Sequence, residues 1–399
     1  MQYLIYLVYP AMLIALLWGA KISKKGEWNE EAFSRNQMKV IQGYMALCIM
    51  FHHLGQKTCA DWIPHQYIVP GLEFFVPIGY FFVAVFLFCS GYGLYKSHLV
   101  REDYPAKGFI RHRIVPLVII FYITDWIYLF FRFIVHEKFK PLQVLWYATG
   151  LQLGNPYGWY AVVIPIFYLC FYLAFRYCKN DRAALAVVSI FTLCYITLGT
   201  FIDHNDWWMR GQWWYNCIAL FPFGMFFAKS EEKITAFLKK GYVLKLILTA
   251  VLMYVFYILS LITQDIFTYY GETFDAPDTV FRRWMCLIPE TLTSLLFVLL
   301  VFMIVMKIKI DNRFLEFMGS ITFEFYLIHG LAIELFGYDF DGDAKPLYYI
   351  KSNVLLTVIS LVSGIVLAYL LHKLYVVLAG RRKKDGGTSD KPQAEASAG

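Results

Sequence analysis

The stretch VIQGYMALCIMFHHL, residues 40–54, decides the class of this chain. It is an apolar run of helix length that ends on two adjacent histidines, His52 and His53. A third histidine, His329, lies inside another apolar run. Imidazoles are expensive within a bilayer, so an intramembrane histidine marks a functional site by default. Histidine is also the side chain whose ordinary pKa best suits proton transfer near neutrality. The pattern points to a membrane-embedded enzyme or proton-handling protein rather than a passive scaffold.

Outward from that stretch, composition says the same. Of 399 residues, 59% are hydrophobic and only 16% charged, with a mean hydropathy of +0.53; a soluble domain carries roughly a quarter charged residues. Only helices or closed barrels satisfy their backbone polar groups in lipid. The apolar runs are about 17 to 25 residues long, too long for the alternating ten-residue segments of a barrel. The expected fold class is therefore all-α, a polytopic transmembrane helical bundle of about 11 helices. Its spans run near 1–20, 38–55, 71–95, 114–135, 159–176, 184–202, 212–228, 242–263, 286–306, 315–337 and 352–372.

Charge orients the bundle. With the N-terminus outside, the loops 21–39, 96–113, 176–182, 229–241 and 307–313 and the C-terminal tail are cytoplasmic. Together with Lys245, those regions hold 27 of the 36 Lys and Arg, which is the positive-inside signature. The outer loops are acidic by contrast, with Asp203, Asp206, Asp265, Glu272, Asp275, Asp278, Asp339, Asp341 and Asp343. The net charge of +7 thus reflects topology, and no nucleic-acid module signature is present. Residues 1–20 lack a basic n-region and are followed by Lys21, Lys24 and Lys25, so they read as an additional, uncleaved N-terminal transmembrane helix. Most of the eight cysteines fall inside spans, where small apolar packing suits them better than disulfides or metal. Residues 381–399 read as a disordered basic cytoplasmic tail.

Register places chemistry on one face of the second span. Lys39 precedes His53 by fourteen positions, about 40° around the axis and roughly 21 Å along it. Arg35 shares the face if the helix extends so far, and Gln42 lies about 20° off, roughly 16 Å from His53. Such a stripe suits a long anionic cofactor entering from the cytoplasm, and equally a snorkelling cation above a hydrogen-bonded core histidine. Further along, Cys89-Ser90-Gly91-Tyr92-Gly93 reads as a close-packing element. Arg111-His112-Arg113 with Pro116 opens the fourth span, where arginines either bind phosphates or serve as ordinary positive-inside residues. Asp125 and Glu290 are acids in apolar context, each able to orient a histidine. Glu324 and His329 are about 140° apart on a helix and are not a direct pair.

In this order the segments resemble the acyltransferase-3 family of bacterial integral-membrane acyltransferases. The clearest likeness is Gly319 through His329, GSITFEFYLIH. Val85 through Tyr92, Arg111 through Pro116, Trp159-Tyr160, and the helix from Gly43 to His53 are similar to further elements of the family. The likeness spans residues 35–375. Where the family has a basic residue with ten residues between it and His53 this chain has Gln42, so either Lys39 or Arg35 supplies the cation or the site has changed. The first span is additional to a ten-helix core.

The resemblance implies transfer of an acyl group, most often acetyl, from cytoplasmic acetyl-CoA as co-substrate to a hydroxyl of an extracytoplasmic or lipid-linked glycan at the bacterial plasma membrane. It implies no tightly bound cofactor and no metal. His53, or else His52, is then the expected general base or acyl-accepting centre, with His329 as second base. Arg35, Lys39, Gln42, Arg111 and Arg113 would face the CoA. Ser90 and Tyr326 would supply hydroxyls. On the outer side Trp207, Trp208, Trp213, Trp214, Trp159 and Tyr160 form either a sugar platform or an interfacial aromatic belt. The partners expected are membrane lipid and a glycan or glycolipid acceptor. The alternatives are a glycan-precursor transporter or flippase, for which inverted repeats would speak, and a catalytically degenerate family member.

Overall fold

A computed structural model describes residues 2–101, 104–105, 108–204, 209–267, 278–337 and 346–385, with side chains described as far as residue 377. The helices are α1 (Val8–Leu17), α2 (Arg35–Thr58), α3 (Gly79–Val100), α4 (Val115–Ile134), α5 (Pro141–Thr149), α6 (Trp159–Tyr177), α7 (Asp181–Phe201), α8 (Leu220–Lys229), α9 (Glu231–Lys239), α10 (Tyr242–Ile266), α11 (Thr279–Val305), α12 (Arg313–Ser320), α13 (Thr322–Ile328), α14 (Gly330–Phe336) and α15 (Asn353–Asp385). Two short strands, β1 (Lys21–Ile22) and β2 (Ile308–Lys309), pair antiparallel. The fold is an all-α polytopic bundle, as the apolar runs require.

Among the described residues, seven helical segments are long and apolar enough to cross a membrane. The other four expected spans are built differently. The first is a short apolar helix, Tyr3–Leu17. The second, α2, is long but carries many polar groups, and it survives because neighbouring helices bury it from end to end. The run 212–228 is not one helix: a short turn, Gln212–Trp214, precedes α8, which has only 10 residues. The run 315–337 is split into α12, α13 and α14, with breaks at Ile321 and His329. Residues 381–385, the start of the expected disordered tail, are the end of α15, and the rest of that tail lies outside the described residues.

Contacts between loops follow the alternation expected from charge. On the basic side, β1 meets β2, Lys96 meets Glu231 at 2.8 Å and His98 meets Asp181 at 3.0 Å. On the opposite side, Asn353 donates to the carbonyls of Val69 and Pro70, and Lys57 meets Glu334 at 3.4 Å.

The central helix α2 begins where the Ser34 side chain accepts from the Gln37 amide, a standard N-cap. It packs against α12, α3 and α13. Gly43 and Gly319 let the α2 and α12 backbones touch: a Cβ on Gly43 would lie 2.6 Å from the Gly319 nitrogen, and one on Gly319 would meet the Lys39 carbonyl. This contact explains the glycine at the head of the 319–329 motif. Near the basic face, the buried Gln37 amide ties α2 to β2, donating to and accepting from Ile310.

Candidate active site

Three elements converge on the outer half of α2. The ring of His53 lies 4.4 Å from that of Tyr157, 5.3 Å from that of His329 and 4.9 Å from that of His52, centroid to centroid. His329 sits at the break between α13 and α14 and is fully buried; His52 and His53 are half-buried. Residues 276 positions apart in sequence therefore face each other, and the two imidazoles stack at an interplanar angle of 21°.

Each imidazole is held in one tautomer. The Nδ1 of His52 lies 2.9 Å from the Phe75 carbonyl, that of His329 lies 3.1 Å from the Phe325 carbonyl, and that of His53 lies 3.0 Å from Gln56 Oε1. Carbonyl oxygens only accept, so each Nδ1 carries the proton and donates it. In the neutral ring, Nε2 then presents a lone pair, the form a general base needs.

The three Nε2 atoms differ in surroundings. That of His52 is pressed against α3: a Cβ on Gly79 would lie 2.3 Å from it. His52 is thus a packing residue that ties α2 to the start of α3, and the glycine is what admits its ring. The Nε2 of His329 is buried with no hydrogen-bond partner among the described residues, so its lone pair is left to face the site. His53 stands between His329 and Tyr157.

Tyr157 is placed by a turn that inserts into the bundle. Asp125, fully buried on α4, accepts from the Asn155 amide at 2.8 Å. The Asn155 side chain then donates to the Leu327 carbonyl at 2.8 Å and accepts from the Tyr157 amide at 3.0 Å. Tyr326 donates its hydroxyl to the Tyr157 carbonyl at 2.7 Å, so it positions the turn and is not a spare donor. The Tyr157 ring covers Gly330, and its hydroxyl donates to Glu334 at 2.5 Å. Asp125 therefore acts through the turn and does not touch a histidine. Glu290 also serves elsewhere, accepting from Gln264, Gln212 and Asn216. Glu324 is paired with His372 of α15 at 2.9 Å.

Toward the basic face, a second polar string approaches the cluster. Ser90 and Tyr160 share a hydrogen bond at 3.0 Å, and Tyr168 lies near Ser90. Arg113 lies close enough to Tyr168 and Tyr104 to interact with both. Tyr160 packs edge-on to Tyr326, 5.6 Å between centroids. Ser90 thus has a polar role that the packing reading of its motif missed, while Gly91 does serve packing, admitting the Phe221 carbonyl. Arg111 and Arg113 are exposed on a π-helical turn, Ile110–Ile114, a distortion often found at functional sites. Arg35 is exposed at the start of α2, and Lys39 and Gln42 are half-buried deeper in.

Of the residues expected in a sugar platform or aromatic belt, Trp159, Tyr160, Trp213 and Trp214 are among the described ones. Trp159 and Trp214 are buried, with ring centroids 6.3 Å apart, and only Trp213 of the described tryptophans of that segment is exposed. Trp207 and Trp208 lie outside the described residues. A groove of about 450 Å³ lined by Leu193, Cys194, Thr197, Leu198 and Phe201 is apolar and remote from the histidines.

This arrangement of a histidine pair in the bundle with cations at one mouth agrees with the comparison of the sequence with known families, in which residues 35–373 match an acyltransferase domain. The chain belongs to the acyltransferase-3 family. Its match begins at Arg35, the first residue of α2, and ends within α15, leaving α1 outside. Comparison with curated proteins and with solved structures returned no match. The chain is therefore an integral membrane protein carrying an acyltransferase domain, and within that acyltransferase the residues that sequence reasoning overlooked are Tyr157, Gln56, Lys57 and Glu334. Gln56 and Lys57 had one available signal, their place within a turn of His53 on α2; Tyr157 had none.

Proposed function

We propose that this chain is a membrane-embedded O-acyltransferase of the bacterial plasma membrane. It moves an acyl group, acetyl in the simplest case, from cytoplasmic acyl-CoA to a hydroxyl of an extracytoplasmic or lipid-linked glycan. The observation that carries the reading is the stacked His53–His329 pair, both rings anchored through Nδ1 and both bearing Nε2 lone pairs.

In this reading His53 Nε2 accepts the proton of the acceptor hydroxyl as its oxygen attacks the thioester carbonyl carbon. The C–O bond forms, the C–S bond breaks, and the proton passes from His53 to the departing CoA thiolate. His329 backs the imidazolium formed on His53, and His52 holds the helix in place. Arg35, Lys39, Arg111 and Arg113 bind the CoA phosphates, with Lys39 supplying the cation that Gln42 does not. Ser90 and Tyr160 line the route of the pantetheine arm.

The test is purified protein in detergent with radiolabelled acetyl-CoA, comparing wild type with His53→Ala and His329→Ala. Label transfer or CoA release that falls by about 10²-fold or more in His53→Ala supports the assignment. Folded wild type that neither binds nor turns over acetyl-CoA excludes acetyl as donor, and the same result with succinyl- and longer acyl-CoA excludes the reading.

A further inference from the structure

Directly outward of the histidine pair lies a second set of polar groups that the acyl-transfer step does not use. Lys57 is one helical turn beyond His53 on the same face of α2, about 6 Å along the axis. Glu334 lies on α14, five residues past His329. The two meet at 3.4 Å, and Tyr157, whose ring contacts that of His53, donates its hydroxyl to the same Glu334 oxygen at 2.5 Å.

We propose that Glu334 is the residue that positions the acceptor: its carboxylate binds one hydroxyl of a polyhydroxylated acceptor while a neighbouring hydroxyl is presented to His53. The inference rests on the acyl-transfer reading and names the acceptor class as a vicinal diol rather than a simple alcohol. Three observations carry it.

The first is reach. Tyr157 bridges the two groups, with its ring 4.4 Å from that of His53 and its hydroxyl on Glu334, so one tyrosine side chain spans the separation. A pair of neighbouring hydroxyls, each extended by its own hydrogen bond, can reach both ends. The second is access. The Glu334 and Lys57 side chains retain 30% and 22% of their exposure, whereas His329 is fully buried. The Glu334 side chain is thus partly accessible, as a ligand-binding group must be. The third is chemistry. Both contacts use Oε1, leaving Oε2 without a contact among the described residues as the acceptor for a ligand hydroxyl, and Lys57 and Tyr157 fix the orientation of the carboxylate. Hydrogen bonds to a charged partner are among the strong ones and are geometrically selective.

The experiment follows CoA release from acetyl-CoA by wild type, Glu334→Gln and Tyr157→Phe, each in the presence of trans-1,2-cyclohexanediol or cyclohexanol. Glutamine is isosteric with glutamate, and a thermal melt of each variant establishes that it is folded. We expect wild type to prefer the diol. In Glu334→Gln the KM for the diol rises about tenfold or more, the size expected for a lost charged hydrogen bond, while the KM for acetyl-CoA and the acceptor-independent CoA release stay within twofold. Tyr157→Phe raises the KM for the diol to a smaller degree. Equal use of the two alcohols by wild type, no response to either, or a Glu334→Gln defect shared equally by donor and acceptor overturns the proposal. Absence of any His53-dependent CoA release by folded wild type overturns the acyl-transfer reading itself, so the two failures are distinct.

Discussion

Replacing Gly330 by alanine tests whether the packing of Tyr157 sets the geometry at His53. A Cβ at position 330 would lie 2.2 Å from Cδ2 and Cε2 of Tyr157 and 3.0 Å from the Tyr128 hydroxyl. Ordinary carbon contacts begin near 3.4 Å, so the ring must retreat by about 1.2 Å, or α14 must move by as much. Overpacking of this kind costs about 1–3 kcal/mol. A displacement near 1 Å at a reacting centre lowers activity about 10²-fold. We expect Gly330→Ala to melt earlier in detergent and to transfer acyl groups about 10²-fold more slowly. The decisive comparison is the double variant. With Tyr157→Ala already in place, the added methyl enters vacated space, and alanine is the better helix former by about 0.8–1 kcal/mol. Gly330→Ala should then be neutral or stabilising, with no more than a twofold further loss of activity. If the two changes instead add fully in stability and in rate, the methyl acts independently of the ring and the reasoning is refuted.

The two adjacent histidines should separate cleanly: His53→Ala removes turnover while leaving the melting temperature nearly unchanged. His52→Ala should leave the Phe75 carbonyl without its donor, costing about 1–3 kcal/mol of stability but keeping activity within about tenfold. The reverse pattern would make His52 the reacting base. Asp125→Ala strips the Asn155 amide of a buried acceptor, so the 154–158 turn should loosen, read as faster amide exchange there and a lower activity at unchanged acyl-CoA affinity. In the outer loop, burial and then the charge of Arg283 push His204 down to about 4. The folded protein therefore holds His204 neutral where the unfolded chain, near 6.5, binds a proton, and stability must fall as pH drops from 6.5 toward 4. Melting curves of wild type should decline over that window more steeply than those of His204→Gln; parallel curves would show that His204 is not the group responsible.

Much of this molecule was legible from local pattern. The apolar runs gave an all-α membrane bundle because lipid leaves the backbone no other choice, and the motif series gave the family. The His53 stripe was legible because helical periodicity is local. What failed did so for a common reason. Two expected spans, 212–228 and 315–337, are mostly apolar, yet one is a turn plus a 10-residue helix and the other is broken at Ile321 and His329. Hydropathy measures whether a segment is tolerated in an apolar interior; it does not measure whether neighbours hold that segment straight. Tyr157 was invisible for a related reason, since it sits in a polar-flanked turn whose place depends on Asp125, Asn155 and Leu327, three separate parts of the chain.

By itself, then, the sequence determined that the chain spans the membrane as helices, which face is basic, that it is an acyltransferase-3 protein, and that His53 and His329 are costly residues requiring a reason. Only the tertiary structure decided that those two histidines face each other, that His52 is packed against Gly79, and that Tyr157 lies against His53 and reaches the Glu334–Lys57 pair. The division is physical. Helix formation, lipid compatibility and charge topology depend on residues within a turn or a span of one another. Tautomers, occluded nitrogens and facing side chains depend on contacts between helices, which no short window of sequence contains.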